Sequence, residues 1–212
     1  MLALSVFLVV VMITGTTSFA SPPLPGWFVR VKESPGAKKL DVREWVDEEW
    51  RSSEGGWKGN DYVHSPTAAC RILEYVMRND EGAFPSLTGA CYFSPRAESH
   101  KGFCHGGSLC ALMDDCVGWL GFCVTGECKP WSGYTVQIDT TLKKPIPVGS
   151  LLKIEGQIES VERRKVWIKC VVSDEESGHV YGEARGLFLT NPSASSVPEA
   201  ASSSAGKLLS KV

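Results

Sequence analysis

The spacing of apolar residues changes period once along the central part of the chain. Residues 102–120 open on a glycine turn, His105-Gly106-Gly107, and continue with Leu109, Leu112, Met113, Cys116, Val117 and Leu120. Recurrence at three and four predicts an amphipathic helix over about 107–123. After a loop at 121–133 rich in Gly, Cys and Pro, the pattern alternates. Val136, Ile138, Thr140 and Leu142 share one face, and Thr135, Gln137, Asp139, Thr141 and Lys143 share the other. Leu152, Ile154 and Ile158 alternate with charged residues, and Val166, Ile168, Cys170 and Val172 repeat the pattern. Turns are expected at 145–149, at Glu162-Arg163 and at 173–178. The last strand, 179–190, puts Val180, Gly182, Ala184, Gly186 and Phe188 on one side. Three small residues in succession there predict close approach by something bulky, such as a helix backbone. With a short strand at 90–94, the expected class is α+β. One long central helix lies against an antiparallel sheet of about five to six strands.

The remainder divides by composition. Residues 1–20 carry an apolar run at 2–13 and end in Ser18-Phe19-Ala20, like a secretory signal with a small-residue cleavage site. No Lys or Arg precedes Arg30, so the basic start usual in such signals is missing. The run is short for a stable membrane span, and an uncleaved anchor or the first half of a two-part plastid address are the other readings. Residues 21–84 read as an extension. A Pro-rich linker at 21–35 is followed by one helix face of Val42, Trp45, Val46 and Trp50. A second helix is expected over 61–79, with Ala69, Ile72, Leu73, Val76 and Met77 as its apolar side. The compact domain is expected over 85–191, and the Ser/Ala-rich tail at 192–212 is expected to be disordered.

The chain has 212 residues, 43% hydrophobic and 22% charged, with a net charge of −2. That is ordinary for a globular protein and gives no electrostatic footprint for nucleic acid. Eight cysteines form no CxxC pair and no zinc-type cluster, so no metal is expected. Cys110 and Cys116 read as small core residues; Cys123 and Cys128 flank a loop and could bridge.

Two carboxylates, Asp114 and Asp115, interrupt the apolar helix. A buried carboxylate costs free energy unless it is paired or used. Around Asp114 the helical neighbours Cys110, Ala111 and Gly118 are small, leaving room for another surface or a substrate. The alternative is an exposed or salt-bridged helix Asp, which Asp115 fits better. Gly106 and Gly107 would present backbone N–H groups at the positive end of the helix, suited to a polarised carbonyl; an ordinary tight turn is the alternative. Asp114 lies two turns away, too far to serve the same carbonyl within one chain, and a two-fold dimer would resolve this. His105 is either a base or a residue that orders the turn by a hydrogen bond. Lys143, Lys144, Arg163, Arg164 and Lys165 sit at strand ends and a hairpin tip, as solvated turn charge or as a grip for phosphate.

His105-Gly106-Gly107 with Asp114 nine positions after the His resembles the signature of hotdog-fold acyl-CoA thioesterases of the PaaI-like and thioesterase-superfamily-member type. The likeness runs on through TVQIDTTLKKPIP at 135–147, through 161–165, and from Tyr181-Gly182-Glu183-Ala184 to Phe188. It implies dimers or tetramers that hydrolyse acyl-CoA to a free acid and coenzyme A. No cofactor is implied beyond the coenzyme A of the substrate. Carried over, Asp114 is the general base or nucleophile, and the N–H of Gly106, with Gly107, polarises the carbonyl. Thr135 orients water or substrate, and Thr141, Lys143, Arg164 and Lys165 contact coenzyme A. A polar side chain found shortly before the glycine pair in some members corresponds here to Ser99 or His100. The loop from Asp114 to Thr135 is longer than in close relatives. A hotdog hydratase-dehydratase and a non-catalytic acyl-CoA-binding protein are the alternatives. Coenzyme A thioesters suit a cytoplasmic or mitochondrial setting, whereas residues 1–20 suggest the secretory route or an organelle reached through a signal-like segment.

Overall fold

The computed structural model describes residues 22–41, 49, 52–53 and 61–192. The expected signal-like segment, the helix face at 42–50 and the tail beyond Pro192 lie outside those residues. Helix α1 (Gly26–Glu33) and strands β1 (Ala37–Lys39), β2 (Cys70–Arg78) and β3 (Ser86–Phe93) come first. A small hairpin, β4 (Glu98–His100) with β5 (Phe103–Cys104), precedes α2 (Gly106–Phe122). Strands β6 (Gly133–Leu142), β7 (Leu151–Glu162), β8 (Lys165–Ser173) and β9 (Val180–Thr190) complete the chain. Among the described residues, seven strands form one antiparallel sheet in the order β1-β2-β3-β7-β8-β9-β6.

Helix α2 lies across this sheet as its apolar stripe requires. Leu112, Met113, Cys116, Val117 and Leu120 are wholly buried. The small-residue face of β9 receives it, as expected. A methyl group at Gly182 would come 2.8 Å from Leu109 Cδ2, and one at Gly186 would come 2.6 Å from Val117 Cγ1. Among the described residues no helix is long and apolar enough to cross a membrane.

Three expectations are corrected. Residues 61–79 form no helix: from Cys70 they are strand β2, paired along its length with β3. The Pro-rich segment is not all linker, because Gly26–Glu33 is helix α1. Both departures have one cause. Trp27 and Phe28 of α1 pack on Val76 and Ala90, on the face of the sheet away from α2. Strand β2 is thereby buried on both faces, and a bulge between Ile72 and Glu74 further breaks its alternation. A continuous apolar run of this kind cannot be told from a helix by period. The sheet therefore begins well before residue 85, and among the described residues it holds seven strands.

Candidate active site

At the start of α2, His105 is the N-cap. Its Nδ1 accepts the Gly107 N–H at 2.9 Å, and its carbonyl accepts the Ser108 N–H at 2.9 Å. The turn-ordering reading of His105 is what the structure has. It corrects the expectation for Gly107, whose N–H is taken up by the cap. The Gly106 N–H, at the first helical position, has no acceptor among the described residues. Such a donor, beside the positive end of the helix dipole, suits a partial negative charge. His105 and Gly106 line a pocket of about 280 Å³ together with Leu109, Leu142, Lys143 and Ile146.

Asp114 is exposed and lies eight residues along α2, about 12 Å from Gly106 by helical rise. Thr135 joins it: its Oγ1 would lie 3.8 Å from a methyl group at Gly118, one turn after Asp114. Thr135 does not share a face with Thr141 and Lys143, as strict alternation would require. Thr135 pairs with Phe188 and Gln137 with Leu187, so Val136 is an extra residue in a bulge. Beyond it the parity reverses. Thr135, Ile138 and Thr140 are half-buried, whereas Gln137, Asp139 and Thr141 are exposed.

The four candidate coenzyme A contacts fall into two groups. Lys143 and Thr141 lie at the Leu142 end of β6, where Lys143 Nζ meets Glu183 Oε1 at 2.6 Å. That hydrogen bond draws the Glu183 carboxyl below its ordinary value. Arg164 and Lys165 lie at the other end of β9, past a turn in which Arg163 has φ 57°. Arg164 Nε donates to the Thr190 carbonyl at 2.7 Å and ties down the end of β9. Leu142 pairs with Gly182 and Lys165 with Leu189, so about 24 Å of strand separates the two groups. The candidate residues thus stand in two groups within one chain. Gly106, Thr141 and Lys143 are at one end; Asp114, Thr135, Arg164 and Lys165 are toward the other. Ser99 and His100 sit exposed on the β4–β5 hairpin.

Asp115 is the acid that the fold pairs. His64 Nε2 lies 3.0 Å from its Oδ1, and the Tyr75 hydroxyl donates to its Oδ2 at 2.9 Å. Tyr75 is wholly buried, and desolvation first, with the neighbouring Asp115 charge, holds its phenol well above the ordinary range. Sequence reasoning missed both partners because it placed His64 and Tyr75 together on a helix of the extension. The one available signal was a second acid on an apolar helix. All eight cysteines are free thiols. Cys123 is pushed up by its hydrogen bond with Cys128 and then by burial.

Residues 101–181 match the family model described as thioesterase superfamily. The chain is 32% identical over 137 residues to the acyl-coenzyme A thioesterase THEM5 of Homo sapiens, covering 60% of this chain and 53% of that one. It is 35% identical over 101 residues to THEM5 of Mus musculus, covering 47% and 39%. The chain thus spans about half the length, or less, of these relatives. Among solved structures, yhdA from Lactococcus lactis superposes with a TM-score of 0.50 at 14% identity, over 57% of this chain and 93% of that one. The chain has the hotdog fold, a long helix on a large antiparallel sheet, and its residues 101–181 are similar to the thioesterase superfamily.

Proposed function

We propose that this protein hydrolyses acyl-CoA thioesters to a free acid and coenzyme A, at sites shared between two copies of the chain. One observation carries this reading: the chemistry-bearing residues stand in two groups at opposite ends of the α2–β6 layer, beside a sheet edge that no described strand pairs. Among the described residues strand β6 ends the sheet, and Tyr134, Val136 and Leu142 along it are 56%, 46% and 52% exposed. An apolar, uncovered edge strand is a template for further pairing. Antiparallel pairing of β6 with its copy about a two-fold axis sets the Thr135 end of one strand beside the Leu142 end of the other. Asp114 of one copy then approaches Gly106 of its partner.

In that arrangement the thioester carbonyl oxygen accepts the free Gly106 N–H at the positive end of α2. Asp114 of the facing copy takes a proton from water as the oxygen of that water adds to the carbonyl carbon. The helix start receives the charge on the carbonyl oxygen. The carbon–sulfur bond then breaks, and coenzyme A leaves as the thiol when the proton is returned. Thr135, close over Gly118, orients the water or the substrate. Thr141 and Lys143 of one copy, with Arg164 and Lys165 of the other, supply donors and positive charge for the phosphates of coenzyme A. The hydrogen bond that Gly107 N–H donates to His105 Nδ1 uses the imidazole as a cap, which weighs against a hydratase with a His base.

Thiol release from short-chain, long-chain and aromatic acyl-CoA esters tests the reading. Asp114→Asn and Asp114→Ala should lose at least a hundredfold in kcat while the dimer persists. Turnover by purified Asp114→Ala at the unsubstituted rate would end the assignment.

A further inference from the structure

We infer that His64 and Tyr75 are positioning residues for the proposed reaction, acting through Asp115 to set the direction of Asp114. The inference rests on the reading of Asp114 given above. Successive helical side chains diverge by about 100° around the axis, so holding Asp115 holds the bearing of Asp114. Asp115 is gripped from two directions by groups on two separate segments. Tyr75, on β2, donates to one carboxylate oxygen at 2.9 Å, and His64, in the loop before β2, meets the other at 3.0 Å. The side chains of His64 and Asp115 are 5% and 13% exposed, so these contacts are largely shielded from water.

His64 is itself held firmly. Asp61 Oδ1 accepts the N–H groups of Val63 and His64 at 2.9 and 2.8 Å, and the Ile72 N–H donates to the Val63 carbonyl at 2.8 Å. Trp119, one turn after Asp115, stands nearly perpendicular to the imidazole with ring centres 6.3 Å apart. A buried polar cluster of this kind gives little stability that apolar side chains of the same volume would not give. What it adds is a single rotational setting of α2 on the side away from the small-residue seat of β9. The segment before β2, which sequence patterning left outside the compact domain, is thereby part of the catalytic assembly.

The full chain carrying Tyr75→Phe, His64→Ala, His64→Gln or Asp114→Asn is assayed with octanoyl-CoA and palmitoyl-CoA for thiol release. Folding is followed by circular dichroism. Tyr75→Phe and His64→Ala should lose at least tenfold in kcat with KM within threefold. A glutamine amide can reach Asp115 from where Nε2 stands, so His64→Gln should recover most of the loss. A merely structural role would not show that split or that rescue. Should His64→Ala fail to fold, Tyr75→Phe, which removes one oxygen atom, decides the matter. Folded Tyr75→Phe with kcat within twofold of the unsubstituted protein, beside an inactive Asp114→Asn, would overturn the inference and leave the site reading standing. An active Asp114→Asn would overturn both.

Discussion

Replacing Gly186 by alanine adds one methyl group beneath Val117. That methyl carbon would stand 2.6 and 2.7 Å from the two Val117 methyls, where ordinary contact begins at 3.4 Å. The shortfall is about 0.8 Å, and no flexible side-chain end absorbs it. Val117 is wholly buried and branched at Cβ, so on a helix it is confined to one rotamer. The helix must lift from β9 instead. Overpacking of this kind costs about 1–3 kcal/mol. For a domain of this size each kcal/mol lowers Tm by about 2–4 °C, so a fall of about 2–12 °C is expected. The displaced segment also carries Asp114, three residues before Val117. A misplacement near 1 Å can reduce turnover about a hundredfold. Thermal unfolding by circular dichroism and thiol release from acyl-CoA would be measured on the same preparation. A variant with unchanged Tm and unchanged turnover would refute the seating of α2 on the small-residue face.

Removal of the helix-start donor is tested by Gly106→Pro. Proline suits the first helical position, His105 before it is already extended at ψ 134°, and the side chain in the way is the exposed Leu142. Tm should hold within a few degrees while kcat falls about 10²–10³-fold; retained turnover would show that the N–H receives no charge. Lys143→Ala should raise KM for acyl-CoA several-fold with little change in Tm, since the Lys143–Glu183 pair is exposed. In the same variant the Glu183 carboxyl, now drawn down by Lys143, should return toward its ordinary value in an NMR titration. Stability should decline with alkali. Burial raises the Tyr75 phenol and the Cys91 and Cys170 thiols, and raises Cys104 to about 11. The folded state thus keeps protons that the unfolded chain gives up from about pH 8.5, the ordinary thiol value. The stability these groups lend is complete below that pH and lost as pH rises through the folded values. Denaturant midpoints equal at pH 8 and pH 10.5 would contradict it.

What the sequence made legible follows from which faces are buried. Strands β7 to β9 bury alternate residues, and α2 buries a stripe, so period alone located them. The Gly182, Ala184 and Gly186 face announced its partner, because small residues in register leave a groove that only a helix fills. Strand β2 was lost because α1 covers its second face. The Val136 bulge was lost because an inserted residue has no compositional mark, and it moves Thr135 to the helix side. Asp114 could be singled out as a candidate by its small neighbours, which are local on the helix. The partners of Asp115 could not, since His64 and Tyr75 are 51 and 40 residues away and meet it only through the fold.

The proposal that each site draws on two copies is tested most directly by mixing two inactive chains. Asp114→Asn and Gly106→Pro would be co-expressed with different affinity tags, and the mixed dimer purified through both. One of its two sites then joins an intact Gly106 to an intact Asp114 across the two-fold axis. Two-site composition predicts about half the thiol release of the unsubstituted dimer, although each parent alone is inactive. A mixed dimer as inactive as its parents would contradict it.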